Sequence, residues 1–310
     1  MPGRFLKLGI VLLLGASIQG GIPMHIDKLW DYSDPLASRE RFEAEVNNLD
    51  RAQDPARYLE LMTQIARTHS LKAEFEQAHE ILDTVKAQWE QATPLVRVRY
   101  YLERGRTFNS AKDKAAALPL FEQAFELGQA NGLDFYTIDA AHMMVIASPP
   151  EDQVTWSLRA LKLAEASADP RAQKWEGSLS NNLAWTYHDL KDYPKALAMF
   201  KQNLAWHQQN GSKKTELIAQ WSIARVQRSL QQYDVALAAQ QEVLAQYKKH
   251  ELPTGGYVYE EIAENLLALD RAQEAQSYFQ QAYAHLSQDP FLQKYEAPRL
   301  ERLKALPQIN

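Results

Sequence analysis

The sequence predicts an all-α protein, a solenoid of about six helix–turn–helix repeats with a capping helix at each end. Three observations predict it. Outside the first 21 residues only seven of 289 residues are glycine, near 2%, against about 7% in an average protein. What replaces glycine is Ala, Leu, Gln, Glu and Lys, the strong helix formers. No alternation of Val, Ile and Thr runs long enough for a strand. Finally, an alanine recurs at one register along most of the chain, the mark of a repeat array.

Residues 1–23 stand apart. Arg4 and Lys7 precede an apolar run of 11 residues, Leu8 to Ile18, followed by Gln19, Gly20 and Gly21. That order reads as a secretory signal peptide, with Ile18 and Gly20 as imperfect −3 and −1 residues. It implies export, periplasmic or secreted; translation from Met24 would instead leave the protein cytoplasmic. The run is shorter than the roughly 20 residues a membrane-spanning helix needs, so no stable membrane span is expected. Without the leader the chain carries 32 basic and 39 acidic residues, net −7. Residues 24–54 form an N-terminal segment whose helix, 35–49, offers Phe42, Val46 and Leu49 as a cap on the first repeat.

The array spans 55–290. The segments 75–85, 115–125, 193–203, 233–243 and 272–282 place Ala78, Ala117, Ala196, Ala236 and Ala275 just inside a helix. Four residues on come Leu82, Phe121, Phe200 and Phe279, with Gln240 the exception. Seven on, Asn203 interrupts an otherwise apolar or small position. Twelve residues before each alanine lies another small residue: Ala66, Gly105, Ala184, Ala224 and Ala263. Small residues there let the two helices of a hairpin approach closely. A degenerate third copy runs through Ala141 and Ala160, with the turn Ser148-Pro149-Pro150-Glu151-Asp152, where proline stops one helix and Asp can cap the next. Gly132, Gly211, Gly255 and Gly256 follow second helices, where a left-handed cap is expected. In 291–310 a final helix, 296–306, turns Leu300 and Leu303 to the array and its charges to water, as a terminal cap must.

Residues 181–204 carry Leu183, Ala184, Tyr187, Tyr193, Ala196 and Phe200 in register, and with the other copies they resemble the tetratricopeptide repeat (TPR) family. The resemblance implies a right-handed superhelix. The copies are spaced 39, 36, 43, 40 and 39 residues apart, longer than the common 34, so this is similar to the long-helix variants. The opening HIDKLWDYSDP is also similar to the starts of bacterial TPR proteins, which favours Met24 as the natural beginning of the domain.

No catalytic signature is present: no G-x-S-x-G, no P-loop, no dinucleotide glycine pattern and no H-E-x-x-H. With no cysteine, thiolate chemistry and Cys-based metal sites are excluded, and no cofactor or metal is expected. His79-Glu80 is followed by Asp83 where a zinc helix would have histidine, and His69 takes an aromatic slot as a core histidine. Arg97, Arg99, Arg104 and Arg106 are the one basic cluster suited to nucleic acid, against which the net charge weighs.

The resemblance implies that first helices face a concave groove where partners bind. In the fourth repeat Leu179, Leu183, Tyr187 and Leu190 form the buried stripe, which sets Ser178, Asn181, Trp185 and His188 on the opposite side at 100° per residue. The same positions elsewhere are Thr63 and Arg67; Arg99, Arg106 and Asn109; Asp139 and His142; Trp221, Arg225 and Arg228; and Tyr257, Glu260 and Glu264. Trp with Arg and Asn suits a peptide or protein ligand carrying acidic groups, in a groove polarised from basic residues toward Glu260, Glu261 and Glu264. A plainer reading stays open beside it: Arg106 paired with Glu103, Arg225 and Arg228 as solvated surface, and Trp221 packed on the next repeat. The expected function is a non-catalytic interaction module or scaffold. The alternatives are an assembly factor of an envelope or secretion complex using its end or lateral surfaces, and an enzyme pairing His142 or His188 with Asp139 or Asp189.

Overall fold

A computed structural model describes residues 25–289, 292–293 and 296–306. The leader and its alternative start at Met24 lie outside the described residues, as does the tail 307–310.

Six helix pairs follow one another: α2 (Pro55–Leu71) with α3 (Phe75–Ala87), α4 (Pro94–Ser110) with α5 (Lys114–Ala130), and α6 (Asp134–Ala147) with α7 (Pro150–Ala166). After the one-turn α8 (Pro170–Gln173) come α9 (Trp175–Asp189) with α10 (Tyr193–Asn210), α11 (Lys213–Ser229) with α12 (Tyr233–Lys249), and α13 (Gly256–Ala268) with α14 (Ala272–Leu286). A capping helix sits at each end, α1 (Pro35–Asn48) and α15 (Ala297–Ala305), and no strand occurs among the described residues. Each helix packs on its neighbours in sequence, and α2 also on α4. Lone hairpins could not bury their apolar faces; stacking makes one continuous core.

The small residues do what their spacing predicts. Ala66, Ala184, Ala224 and Ala263 are fully buried, and a Cβ on Gly105 would sit 2.5 Å from the Phe121 ring. Helix starts are capped by the side chains of Asp54, Thr93, Asp113, Asp192 and Ser212, each satisfying an orphan backbone N–H. Phe42 and Val46 under α1, and Leu300 and Leu303 of α15, are buried as caps require.

Several expectations are corrected. Of the glycines after second helices, only Gly132 is left-handed; Gly211 and Gly255 are extended. Apart from Glu251, which follows α12, the left-handed non-glycine residues lie inside the hairpins: Ala73, Lys112, Lys191, Gln231 and Asp270, each seven places after a small residue. There the following amide closes the turn, as Asp113 N–H does to the Phe108 carbonyl at 2.9 Å, a Schellman bond. In the third pair Pro149, not Asp152, is the N-cap residue, with Glu151 and Asp152 in the first turn. Leu190 leaves the buried stripe and is exposed. His69 is no core histidine: its Nδ1 lies 2.6 Å from Glu74 Oε2 on a half-buried face.

The two breaks in the apolar pattern are buried polar ties. Asn203 donates to the Gly177 carbonyl at 2.6 Å and to Ser180 Oγ at 3.0 Å, fastening α10 to α9. Gln240 donates to the Trp221 carbonyl at 3.1 Å, fastening α12 to α11. Asn203 makes both its donor bonds, whereas Gln240 makes one and leaves its buried Oε1 without a partner.

Candidate peptide-binding wall

The concave wall is built from the first helix of each pair, and its two halves differ. In the second half the cluster expected from the sequence comes together. Trp185 stands edge-on to Phe200 at 5.0 Å and to His188 at 5.3 Å, and its ring centroid lies 6.0 Å from that of Trp221. Trp221 is itself 6.2 Å from the Tyr257 ring and donates its indole N–H to the Tyr257 carbonyl at 3.3 Å. One aromatic thus follows another across α9, α11 and α13.

Behind this row runs a closed polar network. His188 Nε2 lies 2.9 Å from Ser229 Oγ, which accepts from Arg225 at 2.7 Å. Arg225 Nε is 3.0 Å from Glu261, and Arg228 binds the same carboxylate with two bonds of 2.7 and 2.9 Å. Burial holds His188 below its ordinary pKa, helped by Arg225. Burial also pushes Glu261 up, outweighing both arginines. Arg225 and Arg228 are therefore half-buried and paired rather than free surface charges.

The expected basic-to-acidic polarity does not exist. Glu260 receives two bonds from Arg299, at 2.9 and 2.5 Å, and Glu264 is bound by Arg302, both from α15. The cap so brings its own arginines onto the wall and neutralises that end. Glu260 is a fastening for the last helix, buried rather than open to a ligand.

In the first half the residues proposed as open are covered. Thr63 is buried, its hydroxyl donating to the Glu60 carbonyl at 2.6 Å. Arg106 binds both oxygens of Asp139, at 2.5 and 2.6 Å, and Glu103 at 2.7 Å. Burial raises the Asp139 pKa, but Arg106 and Arg67 overturn that and hold it below the ordinary carboxylate value. Asn109 is half-buried, and His142 packs on Trp175 with centroids 5.3 Å apart. Neither His–Asp pair is arranged for acid–base work: Asp139 is held by Arg106, and Asp189, 3.7 Å from His188, is 82% exposed.

The cover is the segment before α1. A 3-10 turn, Ile26–Leu29, lies across α2, α4 and α6. Asp27 accepts from Arg99 at 2.6 Å, Trp30 donates its indole N–H to Gln64 at 3.0 Å, and Arg67 lies 5.3 Å from the rings of both Trp30 and Tyr32. Sequence reasoning missed this segment. Its signal was two aromatics and three acids in ten residues (25–34) outside any amphipathic helix.

From Trp175 onward the wall is open, and three clefts lie next to one another, the middle one backed by Asn203 and His207 of α10 and the last by Tyr247 of α12. The first, about 370 Å³, lies between Phe135, Arg171, Lys174, Trp175 and Ser178. The second, about 270 Å³, shares Ser178 and adds Asn181, Asn182 and Ile218. The third, also about 270 Å³, shares Ile218 and adds Lys214, Trp221 and Tyr257. Of the expected groove residues, Ser178, Asn181, Trp221 and Tyr257 line these clefts. Trp185, His188, Arg225 and Arg228 brace the wall beside them. Phe135, Trp175, Asn182, Lys214 and Ile218 were not singled out as ligand contacts by spacing alone.

With this geometry the class is that of a helical-repeat solenoid, and the comparisons identify the repeat. Residues 156–249 match the tetratricopeptide repeat family. Residues 156–249 thus carry tetratricopeptide repeats, and the chain as a whole has the helical-repeat fold of the solved structures it resembles. Among solved structures it is similar to RapI in its apo form, with 15% identity over 88% of this chain and 76% of that one, TM-score 0.72. It is similar to the apo quorum sensor NprR from B. thuringiensis, at 15% identity, 86% and 79% coverage and TM-score 0.55. A STAND signal-transduction ATPase with a TPR sensor from Pyrococcus horikoshii gives 14% identity and TM-score 0.59; the match covers 91% of this chain but 51% of that one. A comparison with curated proteins finds no match. Among the described residues no helix is long and apolar enough to cross a membrane.

Proposed function

We propose that the open half of the concave wall binds an extended peptide or protein segment. The observation that carries this is that the three clefts adjoin, the first and second sharing Ser178 and the second and third sharing Ile218. Asn181 and Asn182, in the middle cleft, offer amide donors and acceptors to a peptide backbone. The flanking clefts present apolar walls for side chains, including Ile218 at 42% and Tyr257 at 38% exposed. Apolar pockets with a few convergent polar groups are what binding sites share.

The charge of the ligand is set by lysines rather than arginines. Arg225 and Arg228 are matched by Glu261, whereas Lys174 and Lys214 are exposed at the outer clefts. An acidic group on the ligand would meet these two. The similarity in fold to the quorum sensor NprR is consistent with a regulatory binding role, though the clefts are this chain's own.

The test is selection of displayed random peptides on the full chain, repeated on the variant Asn182→Ala/Ile218→Asp. Both positions are exposed, so helicity and melting should be unchanged. Selected peptides should lose at least about tenfold in affinity, roughly 1.4 kcal/mol. Peptides that bind the variant equally would remove the clefts from the account.

A further inference from the structure

The segment 25–32 occupies the first half of the wall the way a ligand would. It has a short turn of 3-10 helix and no partner strand or hairpin of its own. Its side chains supply what holds it: a carboxylate for a buried arginine, an indole donor for a buried amide, and two stacked aromatics. Arg99 is only 3% exposed, and its guanidinium is shared between Asp27, Glu60 and the Tyr136 hydroxyl. Gln64 is fully buried and receives Trp30. Trp30 and Tyr32 stack with centroids 4.9 Å apart and planes 2° from parallel, and Arg67 lies over both. Ile26 and Leu29 are buried. At its start, His25 Nε2 lies 3.0 Å from Arg171 Nη1.

Behind the segment is a half-enclosed cavity of about 410 Å³ walled by Asp27 and Tyr32 on one side and by Arg67, Glu103, Tyr136 and Trp175 on the other. It still holds unspent hydrogen-bonding capacity. Glu103 is 2% exposed, and its Oε2 has no hydrogen-bond partner; Arg67 Nε has none either. The segment therefore covers a polar recess that it does not complete.

We propose that the first half of the concave wall is a second peptide-binding site, that residues 25–32 are its resident ligand, and that it accepts in trans a peptide with an aspartate three residues before a tryptophan. The Arg99–Asp27 and Gln64–Trp30 bonds read those two residues, while Ile26 and Leu29 fill the apolar floor. The tether decides occupancy. A covalently attached segment meets its site at an effective concentration of order millimolar, so a free peptide of the same affinity does not displace it at micromolar levels. Release of the segment exposes the site and the recess together. The recess adjoins the first cleft through Phe135, Arg171 and Trp175, but the Arg99 and Gln64 bonds that read Asp27 and Trp30 involve none of the cleft residues.

The experiment uses the full chain and a fluorescent peptide of its own sequence 24–34. The wild-type chain should leave the peptide unbound. The variant Asp27→Ala/Trp30→Ala, which loosens the resident segment, should bind it. Peptides carrying Asp27→Asn or Trp30→Ala should bind that variant at least about tenfold more weakly. The milder Trp30→Phe chain, which loses only the bond to Gln64, should bind the peptide detectably and less tightly than the double variant. If neither chain variant binds the peptide while both keep wild-type helicity, or if the altered peptides bind as well as the natural one, the proposal is overturned.

Discussion

In the first half of the concave wall Arg99 and Arg106 are held by Asp27, Glu60, Glu103 and Asp139, and the chain's own Trp30 and Tyr32 lie against Arg67. In the second half Arg225 and Arg228 are held by Glu261, and among the described residues the capping helix reaches the wall only at its far end, where Arg299 lies 5.2 Å from the Tyr257 ring. Both halves use arginine as a staple from one repeat to the next: Arg67 to Glu103, Arg106 to Asp139, Arg225 and Arg228 to Glu261. The lesson is that arginines on a concave wall do not measure the charge of its ligand. What separates the halves is cover, not composition.

The largest expected effect comes from breaking a staple in the covered half. Asp139→Ala leaves Arg106 buried with Glu103 alone, and urea unfolding should show a loss of about 3–5 kcal/mol. The counterpart in the open half, Glu261→Ala, should cost less, about 1–3 kcal/mol by the same assay, because water can reach the partly exposed Arg225 and Arg228. Equal losses would mean that the two halves are equally dry.

Acid should separate them next. Asp139 has a folded pKa below its unfolded value, so its stabilisation is present at neutral pH and lost as pH falls through the carboxylate range. Glu261 is raised by burial, so the folded state holds that proton more tightly than the unfolded chain, and its contribution improves as pH falls. His142 and His188 are both lowered, burial first, and weaken each half alike as pH drops below their ordinary value. Hydrogen exchange between about pH 5 and pH 3 should therefore show amides of α4 and α6 losing protection before those of α11 and α13. The reverse order would contradict the assigned shifts.

The smallest effect concerns the turns, where the halves should behave alike. Lys112→Gly and Gln231→Gly remove a side chain from a left-handed residue, at φ 70° and 62°. Each should gain up to about 1 kcal/mol in urea unfolding, set by relief of left-handed strain against glycine's extra unfolded-state freedom. A gain in one half only would reveal strain that the shared turn geometry does not.

The fold was legible because its signals are local. An alanine and a small residue twelve places apart mark two helices that must touch, and Ala66 and Ala78, or Ala184 and Ala196, are buried where they meet. The aromatic cluster of Trp185 and Trp221 was legible for the same reason, since positions one helical turn apart share a face. The clefts were not, because Asn182 of α9 and Ile218 of α11 converge only once two pairs are stacked. Asn203 and Gln240 looked like defects until the packing showed which carbonyls they meet.

By itself the sequence determined the helices, their pairing and the pitch of the repeat, since these rest on spacings of a few turns along one chain. Only the tertiary structure decided which charges are spent and which face stays open. Arg99 meets Asp27 across 72 residues, Arg228 meets Glu261 across 33, and His25 reaches Arg171 across 146. Such partners are chosen by the curvature of the whole stack, which sums small rotations over many helices and leaves no mark in any one of them.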